Sequence, residues 1–362
     1  MQIQSLELNN FRNYRSLSLK LDDGVNIFCG NNAQGKTNIL DAVYVGCTSK
    51  SHKLSKDREM INFDSSEAHI RLNLLKKDVP YRIDMHLKKN SSKGIAVNGV
   101  PIRRSSELFG IANVVIFAPE DLNIIKDGPS ERRRFINMEL CQLNKLYVYN
   151  LISYTKTVNQ KNKLLKEYEY TQNADDFIDI YNEQLIKYGT ELINIRAEFT
   201  DKLGRIIREI HGGITDGAEE LAVSYECSTD AGHFAEELAR YRKQEIRHGM
   251  SLIGPHRDDL KFSVNGTDLR SYGSQGQHRT AVLSLKLAEI RIAEELTGER
   301  PLLLLDDVLS ELDRKRQTQM LNSIRDGQTL ITCTGLDDFI DNRFRIDKVF
   351  YVSDGSVTER NK

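Results

Sequence analysis

The chain has 362 residues, 39% hydrophobic and 28% charged, which is enough apolar content for a large core and for two domains. Lys+Arg number 51 against Asp+Glu 52, a net charge of −1, so the molecule as a whole does not attract nucleic acid and any such binding must come from local patches. Five scattered cysteines (Cys29, Cys47, Cys141, Cys227, Cys333) exclude a zinc ribbon or a redox CxxC, no apolar run reaches the roughly 18 residues of a membrane helix, and the opening MQIQSLELNNFRNYRS lacks a signal-peptide layout, so a cytoplasmic protein with no membrane partner is expected.

In chain order, Ile3, Leu6 and Leu8, then Leu17, Leu19 and Leu21, alternate with period two and predict strands. Asp22-Asp23-Gly24 is a turn, and Val25 to Phe28 is a short strand running into a glycine-rich loop. Ile39, Leu40, Val43 and Tyr44 mark one apolar helix face. HIRLNLLK (69–76) and YRIDMHLKK (81–89) predict antiparallel strands around Asp78-Val79-Pro80, and Asn98-Gly99 is a hairpin signal. VVIF (114–117) reads as a buried strand. From Ser130 to about Arg247 the chain is polar and helix-prone. Two helices are expected there, roughly 130–170 and 175–210, each about 50–60 Å long at the helical rise of ~1.5 Å. Strand character returns at Ser251, with a second Asn-Gly hairpin in KFSVNGTDL (261–269), and KVFYVSDGSVTE (348–359) predicts a terminal hairpin. The expected division is 1–128 and 249–362 for one α/β head and 129–248 for a helical lobe.

GNNAQGKT, residues 30–37, fits the phosphate-loop pattern G-x-x-x-x-G-K-[ST] between a predicted strand and a predicted helix. Gly30 and Gly35 let the backbone curl so that N–H groups from Gly30, Asn31, Asn32, Ala33, Gln34 and Gly35 face phosphates. Lys36 reaches the β- and γ-phosphates, and Thr37 offers its hydroxyl to Mg²⁺. The N-terminus of the following helix adds positive potential.

Such a loop needs a carboxylate at the tip of a neighbouring strand. PLLLLDDVLSELD (301–313) supplies it: Leu302 to Leu305 form a buried strand, Asp306 is the metal-side carboxylate, and Asp307, pointing elsewhere, can orient or activate an attacking water. One helix upstream, with Ala281, Leu285, Ala288 and Ile292 on its apolar face and Gly298 as C-cap, begins at the polar stretch SYGSQGQHRT (271–280). Ser274-Gln275-Gly276-Gln277 at that N-terminus is a second anion site. One head has no use for two phosphate sites, so this loop is expected to bind the γ-phosphate held by another copy of the chain.

The order of phosphate loop, helical lobe, polar loop and carboxylate strand resembles that of the ABC-type ATPases, with Ser310-Glu311-Leu312-Asp313 as the D-loop candidate. Within that class the chain is similar over its whole length to the RecF family, on LNNFRNY (8–14), GNNAQGKTNILDAVY (30–44), FAPEDLNIIKDGPSERRRFIN (117–137), GPHRDDL (254–260), SQGQHRTAVLSLKLAEI (274–290) and LLDDVLSELD (304–313). Asp127 departs from the family's usual Gly. The resemblance implies an α/β ABC-type head with a mixed sheet and an inserted helical lobe. It also implies two ATP molecules sandwiched in an ATP-dependent homodimer, and DNA binding, duplex and gapped, in recombinational repair with RecR and RecO, helping RecA to load. It carries phosphate binding onto Gly30 to Thr37, metal binding onto Thr37 and Asp306, γ-phosphate contact in trans onto Ser274, Gly276 and Gln277, and nucleotide contact onto Asp313. Asp307 stands where ABC transporters usually have Glu, which implies slow hydrolysis suited to a switch. The switch position falls among Thr332, Cys333 and Thr334.

DNA-contact candidates are Arg103-Arg104, Arg132-Arg133-Arg134, Lys156 with Lys161 and Lys163, and the run from Lys50 to Lys56; phosphate contacts demand no particular spacing. Two other functions share part of the pattern. The ATPase subunit of a membrane transporter has the same loops but not the helical insertion. A small-metabolite P-loop kinase needs neither the SQGQ loop nor a D-loop.

Overall fold

The computed structural model describes residues 1–54, 56–324, 326–336, 339 and 344–360. The chain divides into two compact units, Met1–Leu122 with Arg279–Lys362, and Asn123–His278.

The first unit holds two six-stranded sheets. The alternation near the N-terminus becomes β1 (Gln2–Phe11) and β2 (Tyr14–Lys20), paired antiparallel with Leu6 opposite Leu19 and Leu8 opposite Leu17. With β4 (Glu67–Lys76), β5 (Val79–Lys88), β6 (Ser91–Val97) and β7 (Val100–Pro101) they form an antiparallel sheet of order β2-β1-β4-β5-β6-β7. The β4–β5 turn is Lys77-Asp78, both left-handed at φ 47° and 61°, one residue earlier than expected. A two-residue left-handed turn matches the strand twist, and it leaves Pro80 inside β5 opposite Leu75. Asn98-Gly99 forms the expected tight turn between β6 and β7.

The second sheet is built round β3 (Val25–Cys29), all five residues of which are buried. β8 (Val114–Phe117), β12 (Leu302–Asp306), β13 (Thr329–Cys333), β14 (Lys348–Ser353) and β15 (Ser356–Glu359) complete the order β15-β14-β3-β13-β12-β8. Every pair is parallel except the β14–β15 hairpin, so this sheet is mixed as expected. β3, β8, β12 and β13 are buried along their whole length, as strands covered on both faces are, whereas β14 and β15 keep exposed positions. α1 (Lys36–Thr48) touches strands of both sheets, and eleven of its residues are buried, so the hydrophobic core runs through it from one sheet to the other.

The second unit contains α2 (Leu122–Lys126, beginning at the division), α3 (Pro129–Leu143), α4 (Lys145–Lys166), α5 (Ala174–Ile214) and α6 (Phe234–His248). The first long helix is therefore broken where continuity was expected. Asn144 ends α3 in an extended conformation and caps α4, its Oδ1 accepting from the N–H groups of Leu146 and Tyr147. Such a cap favours a new helix start by about 1 kcal/mol. The second long helix is real and, at 41 residues, slightly longer than expected.

This unit is not purely helical. β9 (Leu221–Glu226), which the helix-prone reading overlooked, pairs with β10 (Asp259–Val264), itself paired with β11 (Thr267–Asp268) across Asn265-Gly266. These pairings and the short α7 (Leu269–Tyr272) carry residues 249–278 into the second unit, where the expected division had placed them with the head. α8 (Gln275–Thr297) begins in this unit and continues in the first, with Ala281, Leu285, Ala288 and Ile292 buried and Gly298 left-handed at its end. α9 (Arg314–Ser323) belongs to the first unit.

Candidate nucleotide site

The loop between β3 and α1 is held from three sides. Gly30 donates to the Cys333 carbonyl of β13, 3.2 Å away. A Cβ at Gly30 would lie 2.3 Å from the Val352 carbonyl oxygen, so no larger residue fits between β3 and β14. Gly35 has φ 111°, a conformation that side chains resist, and its carbonyl accepts from the Tyr14 hydroxyl at 3.1 Å. Gln34 is held three times: its carbonyl accepts from Asn13 Nδ2 at 3.1 Å and from the Gly355 N–H at 3.4 Å, and its Oε1 from the Asp354 N–H at 2.6 Å. Asn31, Asn32 and Ala33 form the exposed crest.

The motif LNNFRNY thus has a job that its letters do not disclose. Asn13 and Tyr14 brace the loop, while Arg12 pairs with buried Asp41 of α1. Asp41 also accepts from the Ser51 hydroxyl (2.8 Å) and the His52 N–H (3.1 Å). Lys36 turns back on its own loop, donating to the carbonyls of Gly30 (2.6 Å) and Asn31 (3.2 Å). The lysine that would face phosphate is already aimed over the loop.

Asp306 lies at the tip of β12, 2% exposed, and gathers three partners. Its Oδ1 accepts from the hydroxyls of Thr37 (2.7 Å) and Thr332 (2.9 Å), and its Oδ2 lies 3.0 Å from Lys53 Nζ. Lys53 also reaches Glu120 Oε1 at 3.0 Å. Burial alone would lower the Lys53 pKa, but the two carboxylates outweigh it and raise it. Asp307 adopts φ 53° and donates its N–H to Thr332 Oγ1 at 2.9 Å. Burial raises the Asp307 pKa, Asp306 adds to this, and Lys36 and Lys53 oppose it.

The sequence reading thus brings Gly30 to Thr37, Asp306 and Asp307 into one place. It missed Lys53 and Glu120 as parts of this site. Lys53 lay in a basic run assigned as a DNA candidate; Ser55 of that run lies outside the described residues. Glu120 lay inside FAPEDL, and Thr332 was one of three unresolved choices for the switch position. Of those three, Thr332 is the one whose side chain touches both Asp306 and the Asp307 N–H. In the D-loop candidate, Ser310 donates to the Asp307 carbonyl at 2.8 Å. Asp313 caps α9 by accepting from the Arg316 N–H at 2.9 Å and pairs with the Arg316 side chain. The Glu311 side chain lies outside what is described.

In the second unit, Ser274 and Gln277 form a reciprocal cap at the start of α8. The Gln277 N–H donates to Ser274 Oγ (3.2 Å) and the Ser274 N–H to Gln277 Oε1 (2.9 Å). Gln277 Nε2 also donates to Glu219. A Cβ at Gly276 would meet nothing nearer than Ser274 Oγ at 3.9 Å, so packing does not demand glycine there.

Two basic candidates for DNA contact are taken up by the fold. Arg132, 3% exposed, makes a two-pronged pair with Asp259 (2.7 and 2.8 Å) and donates to the Asp127 carbonyl. Lys161 is fully buried against Glu245 (2.6 Å) and Asn182 (2.7 Å). Asp258 of the same GPHRDDL motif accepts from Tyr225 and from the Ser228 N–H, and lies 3.5 Å from buried Arg196. These arginines and aspartates hold the second unit together. Arg103, Arg104, Lys156 and Lys163 remain exposed.

A phosphate loop on the central strand of a parallel sheet, with a carboxylate from the adjacent strand but one against its threonine, defines the head of an ATP-binding-cassette-type ATPase. A family model described as an AAA domain matches residues 5–220. The chain is 54% identical over 357 residues to the DNA replication and repair protein RecF of Lachnoclostridium phytofermentans, covering 99% of each chain. It belongs to the RecF family of DNA replication and repair proteins. Among solved structures, the recombination mediator protein RecF bound to ATP, from the RecFOR pathway, superposes with a TM-score of 0.92 at 34% identity over 99% of this chain and 97% of that one. The Smc head domain of Pyrococcus furiosus, 16% identical, matches with a TM-score of 0.58 over 99% of this chain and 95% of that one and shares the fold. Among the described residues no helix is long and apolar enough to cross a membrane.

Proposed function

We propose that this chain is an ATP-dependent DNA-binding protein of recombinational repair. In this reading it dimerises on binding ATP, acts at single-strand gaps in duplex DNA, and helps RecA to load together with RecR and RecO. The observation that carries the reading is the convergence of Thr37, Thr332 and Lys53 on buried Asp306 beneath a braced phosphate loop, in a chain of the RecF family. The ATP-bound RecF relative and the RecFOR pathway to which it belongs support the nucleotide and the partners.

In this reading the loop N–H groups from Asn31 to Thr37 cradle the phosphates, while the Gly30 N–H stays bonded to the Cys333 carbonyl and anchors the loop. Lys36 exchanges its two carbonyl partners for phosphate oxygens. The Thr37 hydroxyl and Asp306 Oδ1, 2.7 Å apart, are hard oxygen donors of the kind Mg²⁺ takes, and the ion would neutralise charge between the β- and γ-phosphates. Asp307 orients the attacking water, and its short side chain makes turnover slow. Ser274, Gly276 and Gln277 close on the γ-phosphate held by a second copy, with Asp313 at the same seam. Arg103, Arg104, Lys156 and Lys163 supply DNA phosphate contacts. Nothing in the site favours a transporter subunit or a small-molecule kinase over this reading.

The test is sedimentation of the full chain with ADP, ATP or a slowly hydrolysed analogue, each with and without gapped duplex DNA. A dimer that forms with ATP and the analogue but not with ADP, and that retains DNA, is expected. A species that stays monomeric in all six conditions rejects the switch.

A further inference from the structure

The antiparallel sheet of the first unit carries a group of side chains that the nucleotide chemistry does not use. His69 on β4 and His86 on β5 are direct cross-strand partners, and Glu67 lies two residues before His69 on the same face of β4. The two imidazoles stack with centroids 4.1 Å apart and planes 19° apart. Their Nε2 atoms converge on one carboxylate: His86 Nε2 lies 2.9 Å from Glu67 Oε2, and His69 Nε2 lies 3.8 Å from Glu67 Oε1. All three potential ligand atoms lie within 4.8 Å of one another. His69 and His86 line a shallow depression of about 500 Å³, which they share with Arg71 and its partner Asp84; Gly94 on β6 stands opposite His86 and leaves room beside the ring.

We propose that Glu67, His69 and His86 form a binding site for a borderline divalent transition ion of the zinc type, fastening β4 to β5 on the outer face of this sheet. Two imidazoles and one carboxylate are a donor set that zinc accepts, with bonds of roughly 2.0–2.2 Å and a fourth position left to water. A tetrahedral ion at such bond lengths needs ligand atoms about 3.3 Å apart. The contacts of 2.9 and 3.8 Å reach different oxygens of Glu67, so an ion would draw one of these oxygens to the centre, and the stacked rings must turn out of parallel to aim both Nε2 lone pairs at it. The competing cation is Lys88, in register with Glu67, but it has a flexible stem and an exposed head that can swing to water. Hard Mg²⁺ does not suit two imidazoles, so the site would discriminate against the ion of the nucleotide site.

The experiment is calorimetric titration of the untagged, nucleotide-free full chain with ZnCl₂, paired with Co²⁺ as an absorbing probe. The parent is expected to bind one equivalent. Losing a direct ligand should weaken binding at least as much as losing an outer partner does, by roughly 10–100-fold, in His69→Gln and in His86→Gln separately. Glu67→Gln should fall between these and the parent. The exposed thiol of Cys227 is the rival site, so Cys227→Ser should bind as the parent does, and the Co²⁺ spectrum should show no thiolate band. Circular dichroism and melting temperature confirm folding of each variant, and Zn²⁺ should raise the melting temperature of the parent but not of the histidine variants. Binding that survives both histidine substitutions, or that is lost in Cys227→Ser, or no binding at all at tens of micromolar Zn²⁺, overturns the proposal.

Discussion

Lys53 Nζ stands 3.0 Å from Asp306 Oδ2, so an ammonium from the segment after α1 neutralises the buried carboxylate on the side away from Thr37. A divalent ion arriving at Asp306 therefore meets a competing positive charge. Lys53→Met should lower the Mg²⁺ concentration needed for tight ATP binding by about two- to fivefold, the scale of a partly exposed ion pair. ATP affinity measured across a Mg²⁺ titration checks this, and an unchanged midpoint would show that Lys53 does not compete.

Asp307→Asn should bind Mg·ATP normally and turn it over roughly a hundredfold more slowly, the loss expected when a water-activating carboxylate is removed. Asparagine tolerates the left-handed backbone at φ 53° and keeps the N–H bond to Thr332, so the loop should not distort. Single-turnover hydrolysis and the lifetime of the ATP dimer are the measurements. Hydrolysis at the parent rate would remove Asp307 from this role.

Ser274 caps α8, so a bulky substitution confounds loss of the cap with a blocked contact. Ser274→Asp separates them. Aspartate caps a helix as well as serine does, yet it sets a negative charge where the partner's γ-phosphate would arrive. The variant should melt like the parent and bind ATP as a monomer, but fail to dimerise. Ser274→Arg should also fail, and mixing it with Lys36→Ala, which itself should bind ATP poorly, should restore part of the hydrolysis through the single intact composite site. Normal ATP-dependent dimerisation of Ser274→Asp would mean that the loop is an ordinary helix start.

His256 accepts from the Tyr154 hydroxyl at 2.7 Å through Nδ1, and its Nε2 lies 3.2 Å from the Ser251 carbonyl, an arrangement that suits a neutral ring. Burial, with Arg257, Lys161 and Arg133 nearby, pushes its pKa down to about 4. Between pH 6.5 and 4 the unfolded chain then holds the extra proton, so stability should fall as the pH drops through that window. The loss is at most about 3 kcal/mol, less what water recovers at the half-buried ring. Urea unfolding of the parent and of His256→Gln at pH 7.5 and 5 checks this: the variant should lose less on acidification.

Lys156→Glu and Arg104→Glu should weaken binding to gapped DNA about equally across sequences and flatten its salt dependence. Arg132→Ala should instead cost about 3–5 kcal/mol of stability by stranding Asp259. Gel shifts over a salt series and denaturant unfolding distinguish the two classes, and a folded Arg132→Ala protein that loses only DNA affinity would reverse the assignment.

Motifs of fixed spacing were legible from the letters alone. Gly30 to Thr37, Asp306 and the start of α8 could be placed because strand, loop and helix leave periodic traces on either side. What escaped notice were partners joined only by the fold. Nothing in the spacing of Lys53 and Glu120 links them to Asp306: Lys53 touches it from a loop, and Glu120 acts through Lys53. The letters narrowed the switch position to three residues, and only the fold picks out Thr332 as the one bonded to Asp306. Arg132 and Lys161 were misjudged because a charge does not announce its own burial; their carboxylates lie far along the chain at Asp259 and Glu245. β9 was overlooked because its one fully buried residue, Leu221, leaves almost no alternation to read. The break at Asn144 was visible in principle as a cap residue, but it sits inside an otherwise continuous helical stretch.

β3, at the start of the chain, lies between β13 and β14, which come roughly 300 residues later, and Gln34 of its loop is tied to the turn after β14. At synthesis rates of about 5–20 residues per second, the strand that carries the phosphate loop waits on the order of 15–60 s for both of its neighbours. During that interval its two edges, and the side of α1 that packs on β12 and β13, have no permanent cover. Competence for nucleotide is therefore one of the last properties a newly made chain acquires, and ATP can act as a quality signal that recognises only finished heads. A ribosome-stalled chain ending before residue 329 should retain no nucleotide, however well its antiparallel sheet has formed.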